Sequence, residues 1–115
     1  MRLFPVLALL ATPAWAQDTF RSGEGDRYAL APAEGGGVTL TSEEGVLRTV
    51  GSASLDGPDV LTLRPDCTAE ADGEAGTWRE VSGLLLGGVE VELPGRTVAF
   101  RRQDLQVEGA SCAAK

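Results

Sequence analysis

Apolar and polar residues alternate at period two along most of this chain, and after the first twenty or so residues no window of helical length keeps an apolar stripe clear of glycine. Val89-Glu90-Val91-Glu92-Leu93 is the clearest case. Its valines and leucine face one way and its glutamates the other, as a half-buried antiparallel strand requires. Arg96-Thr97-Val98-Ala99-Phe100-Arg101 reads as the next strand, with Val98 and Phe100 inward. Between them, Pro94-Gly95 suits a type II turn; because tight hairpins prefer primed turns, a slightly wider loop is the expectation. Gly87-Gly88 fits a type I′ turn after a strand at Leu84-Leu85-Leu86.

The same punctuation runs upstream. Strands are expected at Arg27 to Leu30, Val38 to Thr41 and Val46 to Val50, then, after a Gly51 to Pro58 connection, at Val60 to Leu63. Pro65 ends that strand or places it at an edge. Cys67 to Ala71 and Thr77 to Val81 form the arms of a hairpin around Asp72-Gly73-Glu74-Ala75-Gly76, and a last strand lies near Leu105 to Val107. About eight strands at a spacing of roughly ten residues predict an all-β domain, a small antiparallel β-sandwich or barrel. With few aromatics the core is mostly Leu and Val, anchored by Trp78. Gln17 to Ser22 and the residues after Cys112 are the expected loose ends.

Residues 1–16 have the three parts of a secretory signal peptide: Arg2, the apolar run Leu3 to Ala11, and Ala14-Trp15-Ala16 as the small-x-small cleavage site. The run is too short to span a bilayer. The expectation is a mature chain of residues 17–115, one all-β domain without a membrane span, in the periplasm or secreted. The whole chain carries a net charge of −7, and losing Arg2 makes the mature part more acidic. Nucleic acid and anionic membranes need a basic footprint and are therefore poor partners; a basic exported protein is a better one.

The only two cysteines, Cys67 and Cys112, predict one disulfide in that oxidising compartment. In the chain-entropy model a closed loop of about 45 residues is worth roughly 4 kcal/mol. No Cys-x-x-Cys spacing suggests redox activity.

Absence of histidine removes the Ser-His-Asp and Cys-His constellations and histidine metal sites. Lys115 is the only lysine, so a serine-lysine pair is weakly supported. Gly23-Glu24-Gly25 and Gly35-Gly36-Gly37 lack the residues that phosphate-binding turns need. Read as a calcium loop with Gly73 at its sixth position, the acidic segment places Arg79 where the bidentate glutamate belongs. The sequence therefore predicts no enzyme, no cofactor and no metal.

What remains is recognition. Asp72 and Glu74, at the hairpin tip, are candidate partner contacts, and Arg96, Arg101 and Arg102 are candidate anion contacts or a balance for Glu90 and Glu92 on the neighbouring strand. Small exported β-domains with one disulfide include inhibitors of hydrolases, an analogy of fold alone. The leading expectation is a non-enzymatic binding or inhibitor module. The alternatives are a structural envelope-associated protein, with Leu84 to Leu86 as its apolar patch, and a small-ligand carrier, which needs an enclosed apolar cavity.

Overall fold

The computed structural model describes residues 19–81, 87–103, 105–107 and 112. The expected leader and the expected strand and patch at Leu84 to Leu86 lie outside these residues. Ten strands follow in order: β1 (Thr19–Arg21), β2 (Arg27–Pro32), β3 (Val38–Ser42), β4 (Val46–Val50), β5 (Ala53–Gly57), β6 (Val60–Leu63), β7 (Thr68–Ala71), β8 (Glu74–Val81), β9 (Gly88–Leu93) and β10 (Arg96–Arg101). Eight of them form one antiparallel sheet in the order β1-β2-β3-β6-β7-β8-β9-β10, and β4 and β5 pair separately. The sheet curls into a nearly closed barrel, which decides between the two architectures the sequence left open.

Alternation along each strand fills the barrel. Leu40, Leu61, Leu63, Val89, Val91 and Phe100 are wholly inaccessible, and each fully buried side chain of this size contributes about 1.5–3 kcal/mol. Trp78 is buried, and its indole N–H donates to the Arg64 carbonyl at 2.7 Å. Tyr28 stands edge-on to Phe100 with ring centroids 5.3 Å apart, a geometry worth about 0.5–1.5 kcal/mol beyond area alone. Glu90 lies on the outer face yet is buried, because Arg79 on β8 and Arg101 on β10 close over it from both sides.

The barrel closes without a ladder between β1 and β10. Gly23 N–H donates to the Ala99 carbonyl at 2.9 Å. The Gln103 side chain completes the join, its Oε1 accepting from Arg21 N–H at 2.6 Å and its Nε2 donating to the Arg21 carbonyl at 2.7 Å. Cys67 and Cys112 are bonded, with Cα atoms 5.7 Å apart, and Cys112 is buried in the same core cluster as Leu105 and Val107.

Several expectations need correction. Gln17 to Ser22 is not wholly a loose end: Thr19 to Arg21 pairs with Arg27 to Ala29 as β1, held by partly buried Phe20. Gly51 to Pro58 contains a strand, β5, folded back on β4. The hairpin after β7 turns at Asp72-Gly73 alone, both at positive φ, the conformation that a two-residue type I′ turn demands and that Asp-Gly favours. The Pro94-Gly95 hairpin is also closed by two residues, with Leu93 opposite Arg96. Proline fixes a negative φ at the first turn position and so forbids a primed turn; Gly95, at φ 85°, supplies the type II partner. Gly88 is no turn residue: it lies in β9, where a Cβ atom would sit 2.1 Å from the Phe100 carbonyl oxygen. Leu105 and Val107 are buried, but Leu105 to Val107 forms no strand.

Candidate functional site

One barrel end gathers the polar groups of the interior. Parity explains why: on β10 the residues facing inward with Val98 and Phe100 include Arg96, and ahead of β6 the residue in phase with Leu61 and Leu63 is Asp59. Both charges therefore point into the same end of the barrel. Asp59 is completely buried. Its Oδ1 and Oδ2 accept Arg96 Nη2 and Nη1, each at 2.9 Å, and Oδ2 also accepts the Tyr28 hydroxyl at 2.7 Å. Ser42 fixes the backbone beside it, Asp59 N–H donating to Ser42 Oγ at 2.8 Å and Ser42 N–H to the Asp59 carbonyl at 2.9 Å.

The β4–β5 hairpin covers this end and inserts Arg48 into it. All five guanidinium donors of Arg48 are used: Nε and Nη2 on the two Asp72 oxygens at 2.7 and 2.9 Å, Nη1 on the carbonyls of Val46 and Gly57, and Nη2 also on that of Pro58. Arg48 Nε lies 3.6 Å from Asp59, and Arg96 Nη2 lies 3.7 Å from Asp72. The result is a ring of two guanidinium and two carboxylate groups with no net charge. Such buried pairing offsets a desolvation cost of several kcal/mol per ion only when the remaining donors and acceptors are satisfied, as those of Arg48 are.

These contacts bias the ring toward its charged form. The hydrogen bonds from Arg48 hold the Asp72 carboxyl below its ordinary value of 3.8 despite partial burial, and the same bonds raise the Arg48 guanidinium. Asp59 raises Arg96. Burial, followed by the hydrogen bond to Asp59, pushes the Tyr28 hydroxyl far above its usual range, so Tyr28 remains a donor. Asp72, committed to Arg48 by two hydrogen bonds, is a poor proton acceptor.

Beside the ring a cleft of about 480 Å³ opens where the barrel seam is incomplete. Arg48, Arg96 and Tyr28 lie at its base, Gly95 to Ala99 of β10 form one side, Ser22 to Asp26 the opposite side, and β4 the roof. Glu24 and Asp26 carry charge on its rim and make no ion pair among the described residues. Leu47, 75% exposed, projects from the roof at the mouth.

The sequence-derived candidates are distributed differently from their order in the chain. Asp72 and Arg96, assigned to separate surfaces, share the ring. Glu74 is half-buried beside Asp72. Arg101 is on the outer wall with Glu90, and Arg102 is exposed at positive φ. Cys67 and Cys112 form the disulfide. Sequence reading missed Tyr28, Arg48 and Asp59; the usable signal was an aspartate and an arginine each in phase with inward apolar residues. Among the described residues no group of three His, Cys, Asp or Glu side chains is placed to hold a metal ion, and no helix is long and apolar enough to cross a membrane. No family model, curated protein or solved structure matches the chain.

Proposed function

We propose that this chain is an exported, non-enzymatic binding module of the inhibitor kind, which receives a basic segment of a protein partner in the cleft beside β10. The carrying observation is a charge imbalance. Arg48 and Arg96 are paired with Asp72 and Asp59, whereas Glu24 and Asp26 on the rim make no ion pair among the described residues, Arg21 donating instead to the Gly25 carbonyl between them. A cationic group entering the cleft therefore meets uncompensated negative charge, the arrangement that steers association and selects partners. Leu47 adds an apolar contact at the mouth, and its neighbour Arg48 fixes the hairpin that presents it. The disulfide is compatible with an oxidising exported compartment. The core side chains occupy the barrel interior, so the cleft lies on its wall rather than inside an apolar chamber.

The test is capture of exported proteins on the immobilised chain at low salt, run beside an E24Q/D26N double variant. A partner retained by the native chain, released as salt rises and lost from the variant is the expected result. Equal retention on both surfaces, or none on either, overturns the proposal.

A further inference from the structure

We infer that the cleft takes its occupant by strand addition: an extended segment of a protein partner lies along the open edge of β10, hydrogen-bonded to Thr97, with a lysine or arginine directed at Glu24 and Asp26. This rests on reading the cleft as the partner site.

The hydrogen-bond parity of β10 carries the argument. In a hairpin closed by two residues, the pair flanking the turn exchanges ladder hydrogen bonds, and bonded and non-bonded pairs then alternate. Leu93 and Arg96 flank the Pro94-Gly95 turn, so Arg96, Val98 and Phe100 turn their backbone groups toward β9 while Thr97 and Ala99 turn theirs away. The Ala99 carbonyl confirms this phase independently, because it accepts from Gly23 on the side opposite β9. Thr97 has the same orientation, and neither its N–H nor its carbonyl has a partner among the described residues. The reason is that the segment after β1 meets β10 at Ala99, through Gly23, and not at Thr97. After Gly23 the chain turns at Gly25 into β2, and the edge from Arg96 to Thr97 is left facing the cleft.

Such an edge is a template for another strand, and proteins ordinarily blunt it with an outward charge, proline or a covering element. None of these stands on the edge here, since Arg96 is turned inward onto Asp59. Instead, residues of β4 and of the Ser22 to Asp26 turn line the same cleft of about 480 Å³. Backbone pairing along an open edge supplies affinity, and the side chains that alternate from it supply specificity. Glu24 and Asp26 on the far wall, which make no ion pair among the described residues, make a basic side chain the one selected.

The probe is a phage-displayed library of eight-residue peptides with a fixed central lysine, selected on the full-length disulfide-bonded chain. The best peptide is then synthesised and titrated into native protein and variants. Thr97→Pro removes the edge N–H but spares the β9 ladder, because that N–H points away from β9 and proline is tolerated at such positions. It is expected to weaken binding about tenfold or more, equivalent to about 1.4 kcal/mol, with Thr97→Ala within about twofold of native. A second measurement does not depend on the variant folding: methylating successive backbone amides of the peptide should weaken binding sharply at the one position whose N–H meets the Thr97 carbonyl and leave its two neighbours within about twofold of the unmodified peptide. If Thr97→Pro folds and binds like native, or no single amide methylation stands out from its neighbours, strand addition is wrong. In that event, loss of binding in E24Q/D26N still upholds the cleft as a basic-segment site. Failure to select any lysine-dependent peptide overturns both.

Discussion

Asp59 and Arg96 are 37 residues apart in sequence, yet they meet in two parallel hydrogen bonds of 2.9 Å at a place where the aspartate has no solvent contact. This pair joins the entrance of β6 to the entrance of β10 and, through Tyr28, to the start of β2. Three strand entrances therefore meet at one carboxylate.

Removing one member of such a pair leaves the other charged and desolvated, which costs about 3–5 kcal/mol. Asp59→Ala is expected to lower the free energy of unfolding by that amount, read from the urea midpoint at unchanged slope. Arg96→Met combined with Asp59→Leu should recover a substantial part of the loss, because apolar replacement of both partners removes the buried charge itself. A double variant no more stable than Asp59→Ala would show that the pair matters through geometry rather than charge.

Acid sensitivity follows from Asp72 and Asp66. Both carboxyls are held below their ordinary value of 3.8, Asp72 chiefly by Arg48 and Asp66 chiefly by the Thr68 hydroxyl. A carboxyl with a depressed native value binds protons more readily when unfolded, so its stabilisation is present above about pH 4 and is lost as pH falls through the native value. The expected urea midpoint is level with respect to these groups between about pH 7 and pH 5, then falls below about pH 4. In Asp72→Asn the neutral-pH midpoint should be lower and the acid decline shallower. An undiminished acid decline in that variant would assign it to other carboxylates.

The disulfide encloses a loop with a sequence separation of 45. Cys67→Ala/Cys112→Ala should therefore cost about 4 kcal/mol, the loop-closure value for a chain of this length. For a domain whose total stability is of order 5–15 kcal/mol, the thermal midpoint should drop by well over ten degrees, a shift that calorimetry with and without reductant would resolve. Cys67 itself sits at φ 74°, a left-handed conformation that its alanine replacement must share.

The elements legible from the chain were those whose signal is local. Val89 to Leu93 and Arg96 to Arg101 declare themselves by alternation, and their inward residues are the ones found buried. The hairpin at Asp72-Gly73 was displaced because the run Asp72 to Gly76 looks uniformly like a turn, although Glu74, Ala75 and Gly76 pair with β7. β5 was hidden for a similar reason: Ala53 to Gly57 has Leu55 as its one large apolar residue among small and turn-forming neighbours, and it pairs only with β4. The ring of Tyr28, Arg48, Asp59, Asp72 and Arg96 was illegible for a deeper one. Its members come from five separate stretches of chain, Arg48 from the middle of β4 and the others from turns and strand starts, and only closure of the barrel brings them within hydrogen-bonding distance.

The clasp between Arg21 and Gln103 spans 82 residues, whereas every neighbouring pair within the main sheet except β3 and β6 is also a neighbour in sequence. Local hairpins can form before the chain ends meet, and long-range closure is entropically the slowest contact to reward. The seam is thus the last part of the molecule to assemble and the first to part, so substituting Gln103 should accelerate unfolding while leaving the refolding rate nearly unchanged.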